Sequence, residues 1–294
     1  MRFVHSLWTT PSLNERWYIS PEIATLTNMW YYALSVAYLK NLNQEIVLYT
    51  DTFGKECLEH IPYNEIYTIL DKKIPQEMCP IMWACAKFYA LTEEELGSIH
   101  IDGDVFIKTQ QCLDIISNSK CDLFVQGEED ANLANDTGMT GLYIQNHKYL
   151  SHLIFPKGLA KMGNKAYNTG ILQFNKQELK DTFISSYFFM LDQVVNDKIL
   201  IEKWEEDKNI CPDLVIEQRF IYDLSKKYDV SCLIDYQQNN INNYANQIGF
   251  QHVLSQRKYY LLHSCKATLK HIDKELYNLT AEKEKYLKEK YFSN

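Results

Sequence analysis

The sequence predicts an α/β protein in which a largely parallel sheet carries helices on its faces. Two observations support this fold class. Strand-like segments alternate with helix-like ones through the first half of the 294-residue chain. No repeat, low-complexity linker or Pro/Gly-rich boundary interrupts the pattern. We therefore expect a single domain over residues 1–294, with a charged C-terminal helix over residues 269–291.

The predicted elements begin with a strand at Arg2–Leu7 and a helix at 22–40. Ser20 is placed to cap this helix, and Pro21 suits its first turn, where a missing N–H costs nothing. Further strands are predicted at 45–49, 65–69, 98–101, Val105–Ile107, 122–126, 171–174 and 259–262. Further helices are predicted at 83–91, 183–195 and 216–228.

The chain is acidic, with 38 Asp and Glu against 30 Lys and Arg and a formal net charge of −8. Such a charge repels a phosphate backbone, so we expect no nucleic-acid partner. A protein this acidic needs local cations, either Lys and Arg or a metal, to bind a diphosphate. The eight cysteines form no CxxC pair, which argues against a zinc ribbon or a dense disulfide framework.

The N-terminus enters a strand-like run directly, without a long apolar stretch that ends in small residues. The longest apolar stretches, around 29–39 and 187–195, are too short or too interrupted to span a bilayer. We therefore expect a soluble, cytoplasmic protein without a transmembrane segment.

Polar residues follow several of the predicted strands. In open α/β sheets, ligands bind beyond the carboxyl ends of the strands, where loops converge. The clusters at these ends are Thr9-Thr10, Thr50-Asp51, Asp102-Gly103-Asp104 and His263-Ser264.

Asp102 and Asp104 are the most specific of these signals. Two carboxylates after a buried strand offer hard oxygen ligands to Mn²⁺ or Mg²⁺, and Gly103 lets a ligand approach the backbone closely. The alternative is a plain β-hairpin turn, because Asp-Gly between two apolar runs is also a strong turn signal.

Four segments in order along the chain carry a resemblance to the GT-A glycosyltransferases. They are the helix-like 83–91, the Asp-x-Asp unit at 99–107, the Asn-Thr-Gly segment at 167–174, and Glu217-Gln218. The chain resembles small uncharacterised bacterial glycosyltransferase-like proteins and, more distantly, glycogenin-like enzymes, over most of residues 1–265. The resemblance implies a Rossmann-like mixed, mostly parallel sheet of GT-A type.

The resemblance also implies roles for individual residues. Asp102, Asp104 and His263 would hold the metal, and Lys87 and Lys266 would offset the charge of the diphosphate. Together with the strand-end argument, it gives a donor-binding set of Thr9, Thr10, Asp51, Lys87, Asp102, Gly103, Asn168, Gly170, Gln218 and Lys266.

The sequence departs from glycogenin-like enzymes near its end, where those enzymes have a metal-binding His, then a Gly and a Lys. Here His263 and Lys266 lack the Gly and are more closely spaced. His263 could instead cap a strand end, and Lys266 could be solvated.

Other residues in the set also have structural alternatives. Lys87 could extend from an amphipathic helix to water, and Asn168 with Gly170 could form only a tight turn. Glu217 could be favoured merely by the dipole at a helix start, and Asp51 could form an Asx-turn.

These patterns predict a glycosyltransferase that moves a sugar from a nucleotide-sugar donor to a hydroxyl of a saccharide or other acceptor. An inverting enzyme needs a carboxylate base, for which Glu217 and Glu128 are candidates, whereas the glycogenin-like resemblance implies retention. One alternative is a haloacid dehalogenase-type phosphatase, although Phe106 replaces its usual Thr or Val and its motif usually follows the first strand. A second alternative is a non-catalytic nucleotide-sugar-binding protein.

Overall fold

A computed structural model gives the fold of the chain. The structure describes residues 1–14, 19–75, 78–130, 146, 148–159, 165–208, 210–236, 241–253 and 257–293. None of the helices in these ranges combines the length and the hydrophobicity that a bilayer-spanning helix requires.

Two sheets form in the described residues. The strands are β1 (Arg2–Leu7), β2 (Glu45–Thr50), β3 (Glu65–Tyr67), β4 (Ile99–Ile101), β5 (Val105–Ile107), β6 (Leu123–Asp130), β7 (Lys165–Phe174), β8 (Val230–Ile234) and β9 (Phe250–His252). The larger sheet has the order β3-β2-β1-β4-β7-β6-β8, and β5 pairs with β9 in the smaller one. In the larger sheet, β7 runs antiparallel to its neighbours β4 and β6, whereas the other pairs are parallel. The C-terminal ends of β1, β2, β4 and β6 therefore lie at one edge.

Helices connect and cover these strands. They are α1 (Thr10–Leu13), α2 (Pro21–Asn41), α3 (Thr52–Leu58), α4 (Leu70–Lys73), α5 (Cys85–Glu93), α6 (Gln110–Ser117), α7 (Gln177–Asn196), α8 (Lys198–Glu206), α9 (Phe220–Ser225), α10 (Ile241–Ile248), α11 (Arg257–Tyr260), α12 (Leu262–Ile272) and α13 (Lys274–Leu287). Two π-helical segments, Leu214–Arg219 and Lys288–Phe292, precede α9 and follow α13.

The large sheet lies between two helical layers because its side chains alternate between faces. Ile171 packs in a core with residues of α2, α12 and α13, whereas Leu172 packs in a second core with residues of α5 and α7. The same alternation separates Phe124 from Leu123 and Val125. A sheet that is buried on both faces in this way is typical of α/β proteins.

The predicted fold class is confirmed: the sheet is mixed, mostly parallel and flanked by helices. The first strand has the predicted bounds, and α2 matches the predicted helix to within one residue at each end. Its cap is also as predicted, because the backbone N–H of Ile23 donates to Ser20 Oγ and Pro21 occupies the first turn.

The predicted strand at 259–262 is wrong, because this segment spans the end of α11 and the start of α12. A run of four apolar residues is too short to separate strand from helix by periodicity. Leu262, Cys265 and Leu269 follow helical spacing and pack in the core, while Tyr260 is exposed.

Two predicted helices are interrupted. The segment at 216–228 consists of a π-helical segment that continues into α9. The charged helix predicted at 269–291 breaks at Asp273, whose carboxylate caps α13 by accepting the N–H of Leu276. This C-terminal part is packed: Leu276 and Leu287 are buried against α2 and its neighbours.

Gly103, between β4 and β5, is fixed by internal packing. A Cβ at this position would lie 2.2–2.5 Å from three ring atoms of Tyr32, on α2. That ring has little freedom to move, because its hydroxyl donates to the Ser6 carbonyl at 2.6 Å. The glycine therefore allows α2 to pack against the turn that carries Asp102 and Asp104.

We expect Gly103→Ala to lower the free energy of unfolding by about 1–3 kcal/mol, the usual cost of overpacking a core. Urea unfolding followed by circular dichroism measures this cost. Combining Gly103→Ala with Tyr32→Leu, which removes the obstructing ring, should cost less than the sum of the two single substitutions. Full additivity would show that Tyr32 is not the source of the strain.

Candidate functional site

The Asp-x-Asp segment is a turn between two different sheets. The N–H of Val105 donates to the Asp102 carbonyl at 3.0 Å, which closes a tight turn. However, β4 pairs with β1 and β7, whereas β5 pairs with β9. The hairpin alternative is therefore wrong. The turn presents both carboxylates at the C-terminal edge of the large sheet, with about a quarter of the Asp102 side chain exposed.

The small sheet brings His252 to this turn. Val105 lies opposite His252 in the β5–β9 register, and the N–H of Val253 donates to the Asp104 carbonyl. As a result, His252 Nε2 lies 3.4 Å from Asp104 Oδ1. Within the described ranges, Asp102, Asp104 and His252 form a group in which one ligand atom from each lies within 4.8 Å of the others.

Each carboxylate of the pair has a lysine beside it. Lys87 Nζ lies 3.1 Å from Asp102 Oδ1, and Lys258 Nζ lies 3.0 Å from Asp104 Oδ2. Burial would raise the pKa of Asp104, but its charged neighbours, above all the Lys258 ammonium, hold it below its usual range. The Asp104 carboxylate is therefore anionic, and it lies between the ammonium group of Lys258 and the imidazole ring of His252.

Lys87 joins Asp102 to a second, deeply buried carboxylate. Its Nζ lies 2.5 Å from Glu217 Oε1 and donates to the Thr169 carbonyl at 3.0 Å. The Thr169 hydroxyl also donates to Glu217 Oε1. Burial would lower the pKa of Lys87, but Asp102 and Glu217 together raise it. The side chain is only 4% exposed, so the alternative of a lysine that extends to water is wrong.

Glu217 lies in the π-helical segment Leu214–Arg219, not at a solvated helix start. Such segments are frequent at functional sites, because the extra residue in the turn redirects side chains. Its side chain is 1% exposed, and burial raises its pKa although Lys87 lowers it. Gln218, the next residue, is half-buried.

The three ligand residues suit a hard divalent cation. Carboxylates are the preferred ligands of Mg²⁺ and Mn²⁺, and imidazole extends the set to Mn²⁺ and other transition metals. With bonds of about 2.1 Å, neighbouring ligand atoms of an octahedral ion lie about 3 Å apart and opposite ones about 4.2 Å apart. The 3.4 Å between His252 Nε2 and Asp104 Oδ1 lies within this range.

The formal charge around the turn supports the same interpretation. Asp102, Asp104 and Glu217 carry three negative charges, against the two positive charges of Lys87 and Lys258. A bound divalent cation would reverse the resulting single negative charge and make the cluster attractive to a diphosphate.

Asp51 is used within the fold. Its Oδ2 accepts the N–H and the hydroxyl of Thr9 at 2.7 and 2.8 Å, and its Oδ1 accepts the Gly54 N–H at the start of α3. Burial raises the pKa of Asp51, although these bonds lower it. Asp51 thus joins the ends of β1 and β2, next to Thr10 in the first turn of α1. Donor binding by Thr9, Thr10 and Asp51 stays a prediction.

Asn168 and Gly170 lie inside β7 and not in a turn between elements, although the Gly170 N–H donates to Asn168 Oδ1 at 3.0 Å, as in an Asx-turn. The Gly170 carbonyl accepts the N–H of Asp102, which places this part of β7 beside the Asp-x-Asp turn. Asn168 Nδ2 donates to Glu129 on β6. The neighbouring Glu128 instead pairs with Lys165.

His263 and Lys266 lie on α12, apart from this group of ligands. His263 is exposed in the first turn of the helix, where the predicted strand end does not exist. Lys266 pairs with Glu284 at 2.6 Å and lies over the Trp30 ring. Among the described residues, the imidazole that joins Asp102 and Asp104 in one group of ligand atoms is that of His252, whereas His100 Nδ1 lies 3.8 Å from Asp102 Oδ1 and is not part of that group.

His252 and Lys258 are not among the site residues predicted from the sequence. The signal that could have found them is their order, a His followed six residues later by a Lys, just before the C-terminal helices. Because the apolar run at 259–262 was predicted to be a strand, His263 at its end was predicted to be the metal ligand. Only the pairing of β9 with β5 shows that His252 reaches Asp104.

We expect Lys87→Met to lower the free energy of unfolding by about 3–5 kcal/mol, because it leaves Glu217 buried without its cation. Adding Glu217→Gln should recover part of this loss, with a coupling of about 0.5–3 kcal/mol in urea unfolding. Lys180→Met is a matched control: this buried lysine donates to the Glu94 carbonyl, so its loss should cost less. Equal costs at both lysines would contradict the paired role of Lys87.

Comparison with known proteins shows the family to which the chain belongs and solved structures to which it is distantly similar. No curated protein sequence matches the chain. A crystal structure of the galactosyltransferase LgtC with donor and acceptor sugar analogues is similar, with a TM-score of 0.36, 11% identity, and coverage of 71% of this chain and 69% of that one. An active-site mutant of LgtC gives a TM-score of 0.34 and 11% identity, with coverage of 71% and 68%. Residues 1–292 match a family of unknown function, DUF6734, and the chain belongs to this family.

Proposed function

We propose that the protein is a metal-dependent glycosyltransferase that transfers a sugar from a nucleotide-sugar to an acceptor hydroxyl. The observation that carries this proposal is the cluster at the sheet edge. It combines a set of cation ligands, Asp102, Asp104 and His252, with two lysines, Lys87 and Lys258. A site that holds a divalent cation among fixed ammonium groups is suited to a diphosphate leaving group.

Asp102, Asp104 and His252 would hold the cation, Mn²⁺ or Mg²⁺. When bound, the cation would stabilise the negative charge that develops on the departing nucleoside diphosphate. The side chain of Asp102 is more exposed than that of Asp104. Asp102 would therefore also accept a hydrogen bond from a hydroxyl group of the nucleotide-sugar.

Lys258 is placed to contact the diphosphate directly. Its ammonium lies 3.0 Å from Asp104 Oδ2, and 17% of its side chain is exposed. Lys87, by contrast, is enclosed by Asp102, Glu217 and the Thr169 carbonyl. Its charge would act through the buried network: it holds Asp102 in place and lowers the negative charge that the diphosphate encounters.

Glu217 is the better placed of the two candidate catalytic carboxylates. It shares Lys87 with Asp102, whereas Glu128 pairs with Lys165 on the adjoining strands. We assign Glu217, Asn168 and Gln218 to the part of the site that would face the sugar of the nucleotide-sugar donor. Retention of anomeric configuration is our expectation from the resemblance to glycogenin-like enzymes, and NMR of the first-formed product would decide it.

The phosphatase alternative finds less support in the geometry. The Asp-x-Asp turn follows β4, whereas the motif of such a phosphatase usually follows the first strand, and here β1 ends at Leu7. A non-catalytic binding protein would share the cluster, and only turnover separates it from an enzyme.

A nucleoside diphosphate together with Mn²⁺ should stabilise the protein, and EDTA should abolish the effect. Thermal-shift measurements with the diphosphates of uridine, guanosine, adenosine and cytidine test this. A ligand present at about 100 times its Kd contributes about 2.7 kcal/mol of stability. Equal stabilisation in EDTA would contradict a role for the metal.

Asp104→Asn and His252→Ala should each remove the Mn²⁺-dependent part of this shift, because the first removes the negative charge of a ligand and the second removes a ligand. His263→Ala is the matched control and should behave as wild type, since His263 is exposed on α12. Loss of the shift in His263→Ala with retention in His252→Ala would reverse the assignment.

The wild-type protein with Mn²⁺ should also slowly release nucleoside diphosphate from the matching nucleotide-sugar, since water can replace the acceptor. A coupled assay for nucleoside diphosphate measures this release, and Asp104→Asn should reduce it to background. Metal-dependent binding without any release, even with added saccharide acceptors, would favour the non-catalytic binding protein.

A further inference from the structure

We infer that Gln126, held by Tyr236, is a positioning residue that fixes the tautomer of His252, so that the Nε2 lone pair faces Asp104. The inference rests on the proposed function in one respect, because this tautomer matters when Nε2 binds a cation. It assigns a role to two residues that lie outside the ligand set.

Gln126 lies on β6 opposite a β-bulge in β7. On β6 only Gln126 separates Val125 from Gly127, whereas three residues of β7, 169–171, separate their partners Leu172 and Asn168. A bulge redirects a side chain and is frequent beside functional sites. Gln126 is 1% exposed, so its amide must find partners inside the protein.

Both ends of this amide have partners. Gln126 Oε1 lies 2.8 Å from His252 Nδ1, and Gln126 Nε2 donates to the Tyr236 hydroxyl at 2.6 Å. An amide oxygen has no proton to give, so His252 Nδ1 must carry the hydrogen and donate it. In a neutral imidazole the other nitrogen, Nε2, is then unprotonated, and it is this atom that lies 3.4 Å from Asp104 Oδ1.

Gly170 leaves the space that this contact needs. A Cβ at Gly170 would lie 2.4 Å from Gln126 Oε1 and 2.7 Å from His252 Cε1. The carbonyl of the same glycine accepts the N–H of Asp102. The backbone of β7 therefore supports both the Gln126–His252 pair and the ligand turn.

The arrangement follows a general rule of metal sites. A histidine ligand usually donates its second ring N–H to a carbonyl or carboxylate, which orients the ring and makes the ligating nitrogen more basic. Here the amide nitrogen of Gln126 donates to the Tyr236 hydroxyl, and the amide oxygen faces the ring of His252. Replacing such an outer partner typically weakens metal binding by about 10–100-fold.

The first test reads the tautomer without any metal. Long-range ¹H–¹⁵N NMR of histidine-labelled protein, with His252→Ala to assign the signal, should show His252 protonated at Nδ1. Gln126→Leu should abolish this preference, whereas Gln126→Glu, which can still accept the hydrogen, should keep it. In the neutral ring, protonation at Nε2 instead of Nδ1 in wild type, or an unchanged tautomer in Gln126→Leu, would overturn the inference.

The second test measures Mn²⁺ affinity by electron paramagnetic resonance of the free ion. Gln126→Leu should raise the Kd by about 10–100-fold, Tyr236→Phe should raise it less, and Gln126→Glu should leave it near or below that of wild type. Gln173→Leu is the matched control, because Gln173 on β7 donates to the Gly97 carbonyl, away from His252.

The two proposals fail in different ways. If wild type and Gln173→Leu do not bind Mn²⁺, the proposed function is overturned, and the NMR experiment still decides the role of Gln126. If wild type binds Mn²⁺ and His252→Ala does not, but Gln126→Leu binds with unchanged Kd, the positioning role alone is overturned.

Discussion

The buried ammonium of Lys87 holds the site together. It lies on α5 and contacts Asp102 after β4, the Thr169 carbonyl on β7, and Glu217 in the π-helical segment. Four elements from three separate parts of the chain therefore share one charge. Since a buried charge without a partner is costly, this network favours a single relative position of the four elements. The geometry of Asp102 follows from that position.

A second constraint comes from the small sheet. The pairing of β5 with β9 returns the chain to the Asp-x-Asp turn almost 150 residues later and places His252 and Lys258 beside Asp104. Packing of Tyr32 against Gly103 fixes the same turn from the side of α2. The turn is thus held by backbone pairing on one side and by aromatic packing on the other, while its two carboxylates remain accessible.

Much of the fold was predictable because local signals agree with the tertiary structure. The cap at Ser20, the proline at the first turn of α2 and the apolar strands with Asp at their ends each have a local physical cause. The prediction was wrong where an apolar run was short. At 259–262 four residues could form either a strand or a helix, and the packing of Cys265 and Leu269 decides for helix.

For the site, the sequence by itself determined that Asp102 and Asp104 end a buried strand, and that the chain as a whole is too acidic to bind a diphosphate without local cations. These conclusions depend on residue type and on residues that are adjacent in the sequence. Only the tertiary structure decided which histidine and which lysines join them, because strand pairing brings His252 and Lys258 close and burial encloses Lys87 with Glu217. Contacts of this kind depend on register and on layer packing, which have no short-range signature in the sequence.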